Sequence, residues 1–417
     1  MKRQAGVFLH ITALPGPYGI GTLGAPARRV VDFLAAAGCS AWQVLPVNPP
    51  GEGYSPYQSP ASQRLSPFLL SPDVLFGLGL LRQNELPPRV PEGLIDYPRV
   101  AAEWKRMCAL AAARANDEAF LERTLLREWL ALRDYAHARG IELIGDLPIY
   151  VAPQSEEVAE HPALFLRDVV SGCPPDAFSK TGQRWNNPLY DWEAIARDGY
   201  RFWIARMRRA MELVDRVRLD HFRGFCAYWA IPVDAPNASC GRWQNGPGMR
   251  LFSALRQALG ELPLIAEDLG YITEDVHALR RALHIPGMAV LQFAFDAPNS
   301  PYLPEQIAED TVCYTGTHDN DTTLGWARGG GEAVRRAMAY FGVAEPERLC
   351  DAMITAALHS RAQLTVLPMQ DLLLQDSRYR MNRPGTPTGN WRYRVQERQL
   401  SDALAQEMRR KITDAKR

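Results

Sequence analysis

Several features that would assign this sequence to a class at once are missing from it. The 417 residues carry no formal net charge, because 47 Lys and Arg residues balance 47 Asp and Glu residues. A chain without net charge has no electrostatic basis for binding nucleic acid or an anionic membrane, so neither partner is expected. Nowhere do about 18 apolar residues follow one another, and the N-terminal apolar run breaks at Pro15. The sequence therefore predicts neither a transmembrane helix nor a secretory signal.

Disulfide and nucleotide-binding signatures are also missing. The seven cysteines form no Cys-x-x-Cys pair and are odd in number, which favours reduced thiols in a cytoplasmic protein. No G-x-G-x-x-G stretch follows the first apolar run, and no G-x-x-x-x-G-K-[ST] stretch occurs anywhere. Dinucleotide-binding and P-loop folds thereby lose their main support.

The sequence does contain a regular alternation of short apolar runs with helical patterns. Runs that are apolar on both faces and alternate with helices are typical of a parallel sheet covered by helices. Eight of them favour an α/β fold, a closed (β/α)8 TIM barrel with loop insertions that form small subdomains. The predicted strands span residues 6–11, 41–47, 141–151, 216–222, 262–270, 288–295, 311–319 and 364–373.

A barrel with insertions can occupy a chain of this length as one unit. We therefore expect a single catalytic barrel domain over residues 1–417, with insertions at 52–140 and 152–200 on the C-terminal face of the barrel. A long helical stretch is predicted at about 100–139, and Ser401 is expected to cap a closing helix. The predicted helix at 199–214 should place three arginines on a solvated face, namely Arg206, Arg208 and Arg209.

Polar side chains stand at the C-terminal end of nearly every predicted strand, which is where barrel enzymes carry their catalytic groups. A single acid there more often caps a helix or forms a loop ion pair, and this is our expectation for Asp146 and Asp371. Three acids that end strands four, five and seven indicate a function, because burying unpaired like charges is costly. The polar residues are His10, Asp146, Asp220, His221, Glu267, Asp268, His318, Asp319, Gln370 and Asp371.

Three carboxylates with a neighbouring arginine suit the cleavage of a glycosidic bond. One acid protonates the departing oxygen while a second attacks the anomeric carbon, and a separation of about 5–5.5 Å gives retention of configuration. Arg218 lies two residues before Asp220, on the same strand face, and should keep it ionised as the nucleophile. Glu267 follows an apolar run and is the better candidate for a raised pKa and acid/base catalysis.

Metal binding is the competing use of the same side chains. The stretch THDND at 317–321 offers alternating acids and a histidine. However, the first strand carries no H-x-H pair, no bridging lysine is obvious, and oxygen-only sites are poorly defined by spacing. We therefore expect no metal.

Aromatic residues lie mainly in the loops after the predicted strands. Each one alone is more often an anchor in the core, but as a set they favour a long oligosaccharide cleft, because sugar C–H faces stack on aromatic rings. They are Tyr54, Tyr57, Trp185, Trp192, Trp229, Trp243, Trp326 and Trp391.

Together these residues form a pattern that resembles the amylomaltases, the 4-α-glucanotransferases of glycoside hydrolase family 77. The resemblance runs from one end of the chain to the other. Its stretches are GYSPYQSPAS (53–62), GDLPIYV (145–151), PPDAFSKTGQRWNNPLYDW (174–192), VRLDHFRGFCAYW (217–229), AEDLG (266–270), PGMAVLQFAF (286–295), YTGTHDNDTT (314–323) and RMNRPGTPTGNWRYR (380–394).

The resemblance implies a role for each carboxylate: Asp220 as nucleophile, Glu267 as acid/base and Asp319 as transition-state stabiliser. It further implies α-1,4-glucans and maltooligosaccharides as partners, glucan transfer through a covalent glycosyl-enzyme, and no cofactor. The implied sugar contacts are Ser55, Tyr57, Arg218, Asp296, His318 and Asn390.

Two other functions stay open on the sequence. The span 68–140 is short for this family, which would suit a retaining α-glucan hydrolase of the amylase type with a cleft more open to water. The second alternative is a protein that binds starch or glycogen without catalysing a reaction. The intact set of acids argues against this alternative.

Overall fold

The computed structural model describes residues 3–117, 119–175 and 179–417. Among the described helices, none is long and apolar enough to cross a membrane. The strands are β1 (Gln4–Phe8), β2 (Ala41–Gln43), β3 (Glu142–Leu147), β4 (Phe165–Cys173), β5 (Gln183–Tyr190), β6 (Arg216–Leu219), β7 (Ala227–Pro232), β8 (Arg242–Asn245), β9 (Leu264–Ala266), β10 (Gly287–Val290), β11 (Thr311–Tyr314) and β12 (Leu364–Pro368).

The helices follow the strands along the chain. They are α1 (Ala25–Ala36), α2 (Pro72–Gly77), α3 (Tyr97–Ala115), α4 (Phe120–His137), α5 (Glu156–Glu160), α6 (Trp192–Arg197), α7 (Arg201–Leu213), α8 (Met249–Leu259), α9 (Glu274–Leu283), α10 (Thr323–Gly329), α11 (Glu332–Phe341), α12 (Pro346–His359), α13 (Met369–Leu372) and α14 (Asp402–Asp414).

Eight of these strands form one parallel sheet in the order β10-β11-β12-β1-β2-β3-β6-β9. The two edge strands approach each other, because the Ala266 N–H at the end of β9 donates to the carbonyl oxygen of Pro286, just before β10, over 2.9 Å. The sheet is therefore a nearly closed (β/α)8 barrel, and the predicted fold class is confirmed. Each predicted strand is found, and all eight end earlier than predicted.

Contacts divide the chain into two compact units, the first of residues up to 47, 65–144 and 289–417, and the second of 48–64 and 145–288. In the first unit, β1 pairs in parallel with β12 on one side and with β2 on the other. Gly6 permits the close approach of β2, since a Cβ atom there would lie 2.6 Å from the Ala41 carbonyl oxygen. The division into one barrel domain with two insertions stays a prediction.

The predicted long helix of the first unit is two helices. Asn116 ends α3 in the left-handed conformation, with a φ of +49°, which asparagine tolerates better than most residues. Helix α4 then begins at Phe120. The prediction for α14 is confirmed, because the Ser401 hydroxyl accepts a hydrogen bond from the Leu404 N–H over 3.3 Å.

The second unit contains a four-stranded antiparallel sheet that the sequence pattern did not predict. Its order is β5-β4-β7-β8, and β4 pairs with both β5 and β7. The strand β8 reads RWQN and has no buried residue, so it lacks the apolar alternation by which strands are predicted. Its pairing with β7 supplies the order that its own sequence does not specify.

Arg206 on α7 corrects the prediction of a solvated arginine face. Its side chain is buried and donates to the carbonyl oxygens of Pro148 (2.7 Å) and Ile149 (3.0 Å) and to the Tyr190 hydroxyl (2.8 Å). Arg208 is exposed, as predicted. The loop after β3 explains the difference, because its carbonyl groups at Pro148 and Ile149 accept hydrogen bonds and the guanidinium provides several donors in a fixed fork.

We predict that Arg206→Ala lowers the free energy of unfolding by about 2–4 kcal/mol, because two carbonyl groups and a hydroxyl lose their buried donor. Arg208→Ala is the matched control on the same helix and should change the free energy of unfolding by less than about 0.5 kcal/mol. Urea denaturation of both variants measures the difference. Equal effects would contradict a structural role for the Arg206 guanidinium.

Candidate active site

The pairing of β6 with β9 brings two of the predicted carboxylates together. Leu219 and Ala266 are the last paired residues of the two strands, and Asp220 and Glu267 are the residues that follow them. The pairing continues one step, since the Glu267 N–H donates to the Leu219 carbonyl oxygen over 3.0 Å. Neighbouring strands lie about 4.8 Å apart, which is close to the carboxylate separation of about 5–5.5 Å in retaining glycosidases.

A single arginine bridges two acids beside this pair. One Arg218 nitrogen, Nη1, donates to Asp220 Oδ1 over 3.0 Å and to Asp146 Oδ2 over 2.7 Å. Asp146 and Arg218 are almost completely buried, whereas 27% of the Asp220 side chain is exposed. Burial opposes the charge on the guanidinium, but the two carboxylates outweigh it and raise the Arg218 pKa well above its ordinary value. Arg218 therefore stays charged, and Asp220 Oδ1 is the oxygen that it engages.

Asp146 was expected to cap a helix or form a loop ion pair; it does form an ion pair, although its partner is a strand residue. It lies at the end of β3 and forms a buried ion pair with a strand residue, Arg218. The charge of Arg218 could have indicated this pair from the sequence. A buried guanidinium has five N–H donors, and one partly exposed carboxylate cannot accept from all of them, so a second acceptor is expected.

The loop at 53–62 contributes to the same cluster. The Tyr57 hydroxyl donates to Asp146 Oδ2 over 2.8 Å, and the Ser55 hydroxyl accepts from the Tyr57 N–H over 3.3 Å. The far end of the loop is held by Glu157, whose buried carboxylate accepts from the Ser62 N–H (2.7 Å) and hydroxyl (2.6 Å). Tyr57 is thus tied to the Asp146–Arg218 pair, while Ser55 shapes the turn that carries it.

Glu267 lies in a different environment from Asp220. Its carboxyl is partly buried, and accepts from the His221 N–H over 2.7 Å and from the Leu269 N–H over 3.2 Å. Burial raises its pKa to about 8; the charge of Asp220 adds to this rise, and the charge of Arg218 opposes it. Glu267 therefore holds a proton at neutral pH while sitting beside an acid that is paired with arginine. This is the division of roles that acid/base catalysis at two carboxyl groups requires.

His221 adopts a left-handed backbone conformation, with a φ of +50°, directly after Asp220. This turn aims its N–H at Glu267 and places its ring edge-on against Trp185, with the ring centres 4.9 Å apart. Burial lowers the His221 pKa to about 4, so the ring is neutral at pH 7. His221 and Trp185 form a wall of the site.

The predicted residues His318 and Asp319 belong to the first unit, where they follow β11. Asp319 Oδ1 accepts from the Asn382 amide over 2.6 Å and lies 3.4 Å from His318 Nε2. About half of the Asp319 side chain is exposed, whereas His318 is buried. His10, at the end of β1, is also buried; burial and the neighbouring His318 lower its pKa to about 3. Asn382 is a contact of Asp319 that sequence reasoning missed.

Two further predicted sugar contacts also lie in the first unit. The Asn390 amide closes the turn at 383–390 by accepting from the Arg383 N–H and donating to the Thr386 carbonyl oxygen, each over 2.9 Å. Asp296 is exposed, and its carbonyl oxygen accepts from Arg336 over 3.0 Å. The Asn390 side chain thus stabilises its own turn, and Asp296 lies exposed after β10.

Asp371, at the end of β12, has a structural environment. Its buried carboxylate accepts from the Thr315 hydroxyl (2.5 Å), the Thr323 hydroxyl (2.6 Å) and the Thr323 N–H (2.7 Å). Since Thr323 is the first residue of α10, Asp371 caps that helix from another part of the chain. This agrees with the capping expectation.

The predicted aromatic set divides into two groups. Trp192 and Trp391 are buried core residues. Trp229 and Trp243 are partly exposed cross-strand partners on β7 and β8, with ring centres 5.2 Å apart. Only part of the set can therefore offer a ring face to a ligand.

Two carboxyl groups in different environments, at the ends of adjacent parallel barrel strands, are an arrangement that glycoside-processing enzymes use. Comparison with known proteins identifies the family. The model of glycoside hydrolase family 77, described as 4-alpha-glucanotransferase, matches residues 9–124 and 111–401. The chain belongs to this family and is a glucan-transferring enzyme.

The relatives span almost the whole chain. The chain is 40% identical to the 4-alpha-glucanotransferase of Thermus thermophilus over 483 aligned positions, which cover 96% of each protein. It is 38% identical to the chloroplastic/amyloplastic 4-alpha-glucanotransferase of Solanum tuberosum, covering 98% of this chain and 85% of that one. The structure of amylomaltase from Streptococcus agalactiae in complex with acarbose superposes with a TM-score of 0.91 at 30% identity, over the full length of both chains.

The alignments also show where the chain is short. The alignment to the Thermus thermophilus protein covers 483 positions, more than the 417 residues present, so that relative contains segments that this chain lacks. The two segments matched by the family model overlap at 111–124, where α3 gives way to α4. This overlap lies inside the stretch 68–140 that was expected to be short.

We predict that Glu267→Gln changes how stability depends on pH. An unfolded chain ionises this carboxyl near its ordinary pKa of 4.5, whereas the folded protein keeps the proton up to about pH 8. Between these values the folded state binds more protons, so this group makes the free energy of unfolding fall as pH rises. The variant cannot ionise, and its stability relative to wild type should increase from about pH 5 to pH 8 and then level off.

Urea denaturation at several pH values measures this difference. Glu261→Gln is the matched control, because Glu261 is exposed just before β9, and its difference from wild type should not vary with pH. A constant difference for Glu267→Gln as well would show that Glu267 is ionised in the folded protein.

Proposed function

We propose that Asp220 is the nucleophile of a retaining double displacement. Arg218 engages Asp220 Oδ1, so Oδ2 attacks the anomeric carbon of an α-1,4-linked donor glucan. The bond from that carbon to the glycosidic oxygen breaks as the bond to Oδ2 forms, which leaves a covalent glycosyl-enzyme. The positive charge of Arg218 lies next to the Asp220 carboxylate and offsets the cost of placing it beside a second acid.

Glu267 is the acid/base catalyst in this proposal. Protonated at neutral pH, it gives its proton to the departing glycosidic oxygen. The resulting carboxylate then takes the proton from the 4-hydroxyl of an acceptor glucan, whose oxygen displaces Asp220 from the anomeric carbon. Two inversions restore the α configuration, the proton returns to Glu267, and one α-1,4 bond has replaced another.

Asp146 and Tyr57 act as positioning residues. Asp146 accepts from both Arg218 and Tyr57, and so fixes the guanidinium beside Asp220. Arg218 and Tyr57 are also assigned as sugar contacts, as the resemblance implies. The main support for this mechanism is that one buried arginine, Arg218, bridges Asp146 and Asp220. Glu267, whose pKa is raised, lies at the end of the adjacent strand.

The remaining assignments rest on the resemblance alone. They make Asp319 the transition-state stabiliser, and His318, Ser55, Asp296 and Asn390 further sugar contacts. Maltooligosaccharides are the proposed donors and acceptors, in keeping with the acarbose bound by the Streptococcus agalactiae relative. The cytoplasmic location stays a prediction that the seven free thiols support.

Incubation with maltotriose tests transfer. The expected products are a ladder of longer maltooligosaccharides together with glucose, because the glycosyl-enzyme is intercepted by a sugar hydroxyl, and the new bonds should be α by proton NMR. Glucose and maltose without longer products would instead support the retaining hydrolase. Chromatography of the products at several times distinguishes the two outcomes.

Replacement of the nucleophile tests the assignment of Asp220. Asp220→Asn keeps an oxygen for Arg218 but cannot attack carbon, and should lower kcat for maltotriose transfer by at least about 10³-fold. Asp234→Asn, on an exposed loop of the same unit, is the matched control and should retain wild-type activity. Urea denaturation verifies that both variants are folded. A folded Asp220→Asn variant that still turns over at the wild-type rate would refute the role.

A further inference from the structure

An aromatic surface outside the proposed catalytic cluster lies within the second unit. The rings of Trp243 on β8 and Tyr271 in the loop after β9 are nearly parallel, with an interplanar angle of 22° and ring centres 6.2 Å apart. Trp229 packs edge-on against Trp243 and is held by a hydrogen bond from its Nε1 to the Ala238 carbonyl oxygen over 2.8 Å. We call Trp243 and Tyr271 the aromatic platform.

A buried arginine fixes the platform. The Arg223 guanidinium carbon lies 4.0 Å from the centre of the Trp243 ring and 5.3 Å from that of Tyr271. Its Nη1 donates to the Thr273 hydroxyl over 2.7 Å, and the residue is only 6% exposed. Cation–π contacts of a partly desolvated guanidinium are favourable, so the rings are held in place before any ligand arrives.

Tyr271 is nevertheless open to solvent. Its exposed fraction is 64%, the highest among the large hydrophobic side chains of the described residues that are exposed. Single exposed aromatics need no explanation, but a ring that is both ordered by its neighbours and open on one side is preorganised for stacking.

The platform is close in the chain to the proposed catalytic pair. Arg223 follows Asp220 by three residues and Tyr271 follows Glu267 by four. Since a chain spans at most about 3.6 Å per residue, their Cα atoms lie within about 11 Å and 14 Å of the respective acids. The platform therefore lies at the same end of β6 and β9 as the acids, a few sugar rings from the bond that breaks.

The chemistry of the platform favours a sugar over a nucleic acid base. A nucleic acid site would pair a stacking ring with cations that reach the phosphates. Here the arginine faces the rings and Thr273 and is closed to solvent, so it has no free face for a phosphate. A neutral sugar needs only the ring, whose electron-rich face attracts the polarised C–H groups of a pyranose.

We propose that the aromatic platform is a subsite that stacks a glucose unit of a long glucan chain, away from the scissile bond. The inference rests on the proposed function, since it presupposes a glucan held across Asp220 and Glu267. If so, Tyr271 makes the enzyme prefer long glucan chains to short ones as substrates.

The experiment compares Tyr271→Ala with wild type on maltotriose and on maltoheptaose. Loss of one stacking contact should reduce kcat/KM for maltoheptaose by about three- to ten-fold, mainly through KM, and leave maltotriose within about two-fold of wild type. Tyr271→Phe keeps the ring and should restore the wild-type values for both. Phe76→Ala removes another exposed aromatic, 43% exposed and in the first unit, and should change neither substrate.

The outcomes separate this inference from the proposed function. If wild type fails to form longer products from maltotriose, the proposed function is wrong. If wild type transfers and Tyr271→Ala behaves like wild type at both lengths, only the subsite is wrong. Equal losses on both substrates would also overturn it, because they would place the effect at the catalytic centre or in the fold.

Discussion

The site depends on one buried cation. Arg218 lies between Asp146 and Asp220 and donates to both through the same nitrogen, with almost no exposure to water. Without it, two acids at the ends of β3 and β6 would repel each other and the neighbouring Glu267, and burial of ionised carboxylates would be prohibitive. With it, both carboxylates have a buried counter-charge, and Asp220 is the more exposed of the two. Burial raises the pKa of Glu267 to about 8, so this carboxyl keeps its proton.

The barrel makes this arrangement rigid. Asp220 and Glu267 each follow a strand residue whose partner is set by the β6–β9 register, so their backbones cannot move independently. The left-handed turn at His221 then returns an N–H to Glu267. Arg206 donates hydrogen bonds to the two carbonyl groups that follow β3, the strand that carries Asp146. Each catalytic side chain is thus supported by a backbone that the sheet or a buried hydrogen bond holds in place.

The relatives are longer than this chain, yet the strands that carry the acids are complete. The overlap of the two family matches falls between α3 and α4, away from β6 and β9 in the sequence. The residues of this overlap include none of Asp220, Arg218 and Glu267.

The sequence alone determined the order of the elements and the identity of the acids. Apolar runs alternating with helical patterns were sufficient to predict the eight barrel strands. A strand that is buried on both faces is recognisable from its own sequence, without knowledge of the strands it pairs with. The spacing of Arg218 and Asp220 was sufficient to place them on one face, since strand geometry is local. The raised pKa of Glu267 also followed a local signal, the apolar run before it.

Tertiary structure decided what depends on distant partners. The antiparallel sheet was missed because β8 gains its order from β7, and the burial of Arg206 was missed because the carbonyl groups that need it come from another segment. The Asp146–Arg218 pair joins residues 72 positions apart, and Tyr57 reaches Asp146 across 89. Periodicity reports which face of an element is apolar, but only the folded chain brings a charge and its counter-charge together, because their residues are far apart in the sequence.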